Sequence, residues 1–275
     1  MNKKNLPNSL SSSQLNEVNR LLDYVSKRQC SDFGNIQSEL KPDGTLITTC
    51  DRWSDETIVR GLGKITKDEG VLSEEGGQLV PSSSAYWVVD PLDGTTNFAA
   101  GIPYWAISIA RFVEGRPECA FLDVPALNQR IVAIRGRGVW RNGKPLTVDS
   151  RLGSTSECIS LCSRSIRVLQ RRADKPFPGK IRLLGVASLN LVSVAMGQTV
   201  GALEATPKIW DLASSWLVLS ELQCPVRWLA ADPAHLIPGQ DLSLADFPVL
   251  AASSKDQLSR LLPWGEALIR PCSLR

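Results

Sequence analysis

The sequence predicts a mixed α/β protein with sheets and helices in layers. Three stretches support this. Leu15, Val18, Leu21, Leu22 and Val25 recur at helical spacing near the start of the chain. From Trp105 to Val148 the pattern turns strand-rich, with turn signals at Glu114-Gly115 and at Arg141-Asn142-Gly143-Lys144. Past residue 156, short strand patterns and apolar helical patterns follow one another.

The elements follow in chain order. Ser11 and Gln14 have the spacing of a capping box, so a helix is predicted over 12–29. Lys41 to Thr45 reads as a turn and Leu46 to Thr49 as a short strand. A second helix starts near Asp51, with Ile58, Val59 and Leu62 on its apolar side. Tyr86-Trp87-Val88-Val89 is a continuous apolar run, the mark of a buried strand. Four strand patterns make up the meander: 106–113, 119–124, 130–134 and 138–143. The polar run 149–156 is the best boundary by composition, dividing the chain into 1–148 and 149–275. Beyond it, strands are predicted at 181–184 and 247–251, and helices at 188–196, 211–222 and 255–262.

Composition narrows the function. The chain has 275 residues with 43% apolar and 21% charged side chains, ordinary for a globular protein. A net charge of +3 is compatible with a small anionic substrate and does not argue for nucleic acid. The seven cysteines form no C-x-x-C pair and read as reduced thiols of a cytoplasmic protein. His235 is the single histidine, in a Pro-flanked loop, which argues against histidine bases and histidine-rich metal sites and leaves carboxylates as the working ligands. The polar N-terminus lacks the apolar core of a signal peptide, and no stretch approaches a membrane span.

The segment Asp90-Pro-Leu-Asp-Gly-Thr-Thr-Asn-Phe98 follows the buried run directly. It offers carboxylate, carbonyl and hydroxyl oxygens, the ligands that hard divalent cations take. Pro91 biases Asp90 toward an extended backbone, and Gly94 permits close approach to a ligand. Gly94 and Thr95 can present backbone N–H groups to a phosphate. Each acidic group also has an ordinary structural reading. Asp90 suits an Asx-turn, Asp51 and Asp211 suit helix N-caps, and Glu74-Glu75 suit a solvated loop.

The string Trp87-Val-Val-Asp-Pro-Leu-Asp-Gly-Thr-Thr-Asn-Phe98 resembles the signature of the inositol monophosphatase superfamily, the Mg²⁺-dependent, lithium-sensitive phosphatases. The resemblance runs from about residue 15 to residue 225. It implies an α/β (α+β) fold, the layered αβαβα sandwich of the inositol monophosphatase and fructose-1,6-bisphosphatase type, with the active site between two subdomains. It makes Glu74, Asp90, the Leu92 carbonyl, Asp93 and Asp211 the ligands of two or three Mg²⁺ ions. Thr48-Thr-Cys-Asp51 matches the family's Thr-x-x-Asp segment, so Asp51 and Thr95 become the pair that orients the attacking water. Gly185-Val-Ala-Ser188 resembles the segment that meets substrate near the phosphate, through Gly185 and Ala187. Glu204 stands where many inositol phosphatases contact sugar hydroxyls. Lys208 precedes Trp210-Asp211, where a basic residue suits an anionic substrate, and Lys41 lies in the family's active-site loop. Ser73 stands where the family usually has glycine, and the glycines usual after Trp-Asp are missing.

The implied reaction is hydrolysis of a small phosphate monoester, with inositol-1-phosphate first and lithium as inhibitor. Histidinol phosphate, fructose-1,6-bisphosphate and NADP are the alternatives within the family. A non-catalytic binding member is a reading of a different class. Relatives imply a homodimer, while no nucleic-acid or membrane partner is expected. Residues 163–182 hold seven basic side chains against one acidic and read as a solvated surface.

Overall fold

The computed structural model describes residues 9–42, 44–147 and 157–269. The predicted boundary at 149–156 lies outside them. The capping box at Ser11 forms as expected and starts helix α1 (Ser12–Asp32). A short hairpin, β1 (Ser38–Leu40) and β2 (Leu46–Thr48), leads into α2 (Thr49–Ile65). Thr48 is its N-cap and Asp51 its third residue, so this helix begins slightly earlier than the sequence suggests.

A seven-stranded sheet follows: β3 (Gly70–Ser73), β4 (Ala85–Asp93), β5 (Ala106–Val113), β6 (Arg116–Val124), β7 (Gln129–Ile134), β8 (Gly138–Arg141) and β9 (Lys144–Leu146). They lie in sequence order, β3 parallel to β4 and the rest an antiparallel meander. The five-residue helix α3 (Thr95–Ala99) joins β4 to β5. The remaining strands are β10 (Cys158–Leu161), β11 (Lys180–Arg182), β12 (Gly201–Glu204), β13 (Val226–Trp228) and β14 (Val249–Ala252), in the order β11-β10-β12-β14-β13. Between and after them run helices α4 (Arg167–Arg171), α5 (Ala187–Ala195), α6 (Ile209–Glu221) and α7 (Lys255–Ile269).

The strand period of two explains the layers. Trp87 and Val89 of β4 face Val18, Leu22, Val25, Ile58 and Leu62 of α1 and α2. Val88, between them, faces the opposite core with Val192, Leu212 and Leu217 of α5 and α6. Those helices also pack on Ala202, Val249 and Ala251 of the second sheet. Its far face, with Leu203 and Leu250, meets Val168 of α4 and Leu261, Trp264 and Leu268 of α7. The layers therefore run αβαβα, as the resemblance implies. β4 is buried along its whole length, which is why its sequence does not alternate.

Three local expectations change. The strand predicted at 181–184 is an exposed edge at 180–182. Helix α7 passes through Pro263 and ends at Ile269, because Trp264, Ala267 and Leu268 have a core to fill. Arg171 and Arg172 are not merely solvated: they donate to the carbonyls of Ala267, Leu268 and Pro263, and Arg172 lies 5.1 Å from the Trp264 ring centroid. Among the described residues no helix is long and apolar enough to cross a membrane.

Candidate active site

The site begins where β4 loses its regular pairing. Its register with β5 shifts between Asp90 and Asp93, which frees the Pro91–Leu92 segment from the ladder. Asp90 Oδ1 accepts the Leu92 N–H at 3.0 Å. Gly94 follows at φ 102°, and a Cβ there would lie 2.8 Å from Val186 Cγ2. Only glycine suits both the left-handed backbone and that close approach.

The second half of the chain supplies the rest. Asp93 accepts the N–H groups of Ala187 (3.3 Å) and Ser188 (2.7 Å) in the first turn of α5, whose N-cap residue Val186 offers no side-chain cap. Asp211, third residue of α6, accepts the Lys208 N–H at 2.7 Å. Carboxylate oxygens of Asp90, Asp93 and Asp211 all lie within 4.8 Å of one another. Burial raises all three carboxyl pKa values, well above the ordinary range for Asp90 and Asp211, where neighbouring carboxylates add to it. Three carboxylates this close, two buried and one half-buried, strongly disfavour carrying charge together without a cation between them. The oxygen donor set suits Mg²⁺.

Glu74 hangs from the end of β3, where its N–H donates to Val89 O at 3.1 Å. Lys41 reaches across to it, with Nζ 3.0 Å from Glu74 Oε1 and 2.6 Å from Glu75 Oε1. Glu74 thus sits in an ion pair, outside the mutual 4.8 Å approach of the three aspartates, while its charge still helps raise the Asp90 and Asp211 carboxyls. Burial opposes the Lys41 charge, but the two glutamates outweigh it and hold its pKa above the usual value. Burial, then Glu74, push Glu75 up to about 7. Ser73, where the family usually has glycine, donates its hydroxyl to Asp55 on α2.

Asp51 and Thr95 meet as expected: Thr95 Oγ1 lies 2.8 Å from Asp51 Oδ1 and 3.1 Å from the Leu92 carbonyl. The other Asp51 oxygen accepts the Thr48 N–H at 2.8 Å and the Thr48 hydroxyl. Burial raises the Asp51 pKa while these hydrogen bonds restrain it.

A cavity of about 240 Å³ opens beside the aspartates, its lining including Asp93, Arg164, Ala187, Asn190, Glu204 and Asp211. Glu204 is buried and accepts from Asn190 Nδ2 at 2.8 Å. Burial lifts its carboxyl to about 8 against that bond and one from Cys162. Gly185, at φ 75°, also lines the cavity, and a Cβ there would crowd Asn97 Oδ1 at 3.2 Å. Asn97 in turn donates to Leu184 O and Tyr104 O, at 2.8 and 2.9 Å.

Lys208 does not join this group. Its Nζ donates to Ser243 O at 3.0 Å and lies 3.1 Å from Asp246 Oδ1, outside the cavity lining. Sequence reasoning also missed Arg164, Cys162 and Asn190, all of which line the cavity. The available signal for Arg164 was its place just past the apolar strand β10. The missing glycines after Asp211 leave no gap: Ser214 Oγ lies 2.7 Å from Ser108 Oγ, and Trp216 packs edge-on to Phe112 and Trp228.

A five-layer αβαβα fold with clustered aspartates at the junction of its halves is an arrangement able to hold divalent cations against a phosphate monoester. The sequence profile of the inositol monophosphatase family matches residues 18–261, and the chain belongs to that family. It is 33% identical over 68% of its length to the Nus factor SuhB of Pasteurella multocida, covering 73% of that protein. It is 32% identical over 76% of its length to the inositol-1-monophosphatase of Rhizobium meliloti, covering 83%. Among solved structures, an IMPase/NADP phosphatase complexed with Mg²⁺ and phosphate superposes with TM-score 0.76 at 22% identity. That match covers 92% of this chain and 95% of the other.

Proposed function

We propose that the protein is a Mg²⁺-dependent phosphatase of the inositol-1-phosphate type, with Asp90, Asp93, Asp211, Glu74 and the Leu92 carbonyl as ligands of two or three ions. The observation that supports this most is the mutual approach of three aspartates, two buried and one half-buried, beside a cavity of substrate size. Bound Mg²⁺ would supply activation of water, charge neutralisation on the phosphate and stabilisation of the leaving oxygen.

This chain's own residues do the remainder. Thr95, by donating to Asp51, keeps hydroxyl lone pairs free to accept a hydrogen bond from the attacking water. Asp51 takes up proton density passed through that hydroxyl. Gly94 and Thr95 N–H groups hold phosphate oxygens, while Gly185 and Ala187 bound the substrate's path. Glu204 receives its hydroxyls. Cys162 lines the cavity, but burial pushes its thiol up, which keeps it protonated and a poor nucleophile. Attack by water without a phosphoenzyme follows.

Histidinol phosphate, fructose-1,6-bisphosphate and NADP are alternative substrates of the same site. Lithium inhibits by competing for a cation position, the protein works in the cytoplasm as a homodimer, and it needs no nucleic acid. A binding role is the second reading, favoured by the likeness to a relative named a Nus factor. The test is phosphate release from inositol-1-phosphate with Mg²⁺, then with added EDTA or lithium. Release that ignores EDTA would overturn the metal reading. Release unchanged at millimolar lithium would remove the lithium proposal.

A further inference from the structure

Gln29 is a fully buried amide on α1, among apolar neighbours Val18, Leu22 and Val25 of the same helix. A buried amide in such company is costly unless its hydrogen bonds are made. Gln29 makes three. Its Nε2 donates to Pro91 O at 2.8 Å and to Ser54 Oγ at 3.1 Å, and its Oε1 accepts the Trp105 indole N–H at 2.9 Å. An indole N–H can only donate, so Trp105 dictates which end of the amide is oxygen.

The Pro91 carbonyl and the Leu92 N–H belong to one trans peptide, so they point in opposite directions across a rigid plane. Gln29 holds the oxygen end of that plane, and the N–H end holds Asp90 Oδ1 at 3.0 Å. The next carbonyl, Leu92 O, lies 3.1 Å from Thr95 Oγ1, whose hydrogen goes to Asp51. Donation to a carbonyl also polarises its peptide and strengthens the opposite N–H as a donor.

We propose that Gln29 is a positioning residue for the cation site: by clamping the Pro91–Leu92 peptide from the helical layer, it aims the Asp90 carboxylate. It does not line the cavity. The inference rests on the reading that Asp90 is a metal ligand.

The test compares Mg²⁺ affinity by calorimetry, melting temperature, and kcat and KM in three variants. Gln29→Met keeps length and loses the hydrogen bonds. Trp105→Phe removes the N–H that orients the amide, together with part of a buried ring packed on Phe33 and Phe98. Val25→Ala opens a hole on the same helix without touching the peptide. The expected result is Mg²⁺ binding weakened roughly 10- to 100-fold in Gln29→Met, the range for loss of a group that orients a ligand. Trp105→Phe should shift it in the same direction by less, with kcat falling more than KM changes. Val25→Ala should lower the melting temperature with Mg²⁺ affinity intact. If Gln29→Met fails to fold, Trp105→Phe decides, with Val25→Ala as the measure of what a cavity alone does to Mg²⁺ affinity. Wild-type affinity in the folded Gln29 and Trp105 variants, or equal weakening in Val25→Ala, would overturn the inference while leaving the phosphatase reading in place. A wild-type protein that binds no Mg²⁺ would overturn both.

Discussion

Asp93 accepts the N–H of Ser188 at 2.7 Å, so a carboxylate from the first sheet caps a helix of the second half. One side chain therefore serves both the junction between the halves and the cluster of three aspartates. Asp93→Asn keeps a capping oxygen and should cost little stability, whereas Asp93→Ala should lose about 1 kcal/mol of helix capping. Both should lose Mg²⁺-dependent turnover. Thermal melts beside phosphate-release assays separate the two effects.

The crowding of Asp90, Asp93 and Asp211 makes a prediction with an unusual sign. In EDTA, Asp90→Asn should raise the melting temperature, because it removes a carboxyl whose ionisation burial and like charges oppose. With Mg²⁺ the order should reverse, since the wild type gains binding energy that the variant cannot. A variant less stable than wild type under both conditions would count against the cluster as a cation site.

Stability without metal should depend on pH in a defined window. Glu204 is raised from 4.5 to about 8 and Glu75 from 4.5 to about 7, both chiefly by burial. The folded state thus binds these protons more tightly than the unfolded chain. Their contribution is fully present below the unfolded value and is lost as pH rises through the folded value. The metal-free protein should weaken between about pH 4.5 and 8, and Glu204→Gln should flatten part of that slope. Chemical denaturation at a series of pH values in EDTA measures it.

Gly94 should tolerate no side chain. Gly94→Ala places a Cβ at φ 102° and 2.8 Å from Val186 Cγ2. The left-handed backbone alone costs about 1–2 kcal/mol. The Asp93 and Thr95 groups on either side would shift with it. A denaturation midpoint shift with loss of turnover is expected, and Gly101→Ala, with open space around it, should keep turnover.

Thr95 acts through its hydroxyl in this scheme. Thr95→Val should lower kcat by roughly 100-fold or more, the usual worth of a positioned proton acceptor, with little change in KM. Thr95→Ser should recover most of the loss. Steady-state kinetics on the three proteins decides it, and a Thr95→Val enzyme with wild-type kcat would remove Thr95 and Asp51 from the water-orienting role.

Legibility in the sequence follows how local each determinant is. β4 and its acidic turn could be read because burial on both faces forces a continuous apolar run that ends abruptly at Asp90. The pairing of Asp51 with Thr95, 44 residues apart, rested on resemblance, and the fold brings them to 2.8 Å. Lys208 could not be placed, because Ser243 and Asp246, 35 and 38 residues on, decide where its ammonium goes. Arg171 and Arg172 looked solvated for the same reason: their carbonyl partners lie more than 90 residues away, on α7. Gln29 gave no signal, since a glutamine in an amphipathic helix reads as surface until its three partners are known.

The most direct measurement is phosphate release from inositol-1-phosphate, histidinol phosphate, fructose-1,6-bisphosphate and NADP, each with Mg²⁺, with EDTA and with Asp90→Asn as a blank. Release from at least one compound that needs Mg²⁺ and vanishes in Asp90→Asn is expected, inositol-1-phosphate being the first candidate. Release that persists in EDTA or in Asp90→Asn, or no release from any compound by folded protein, would contradict a phosphatase working through the three aspartates.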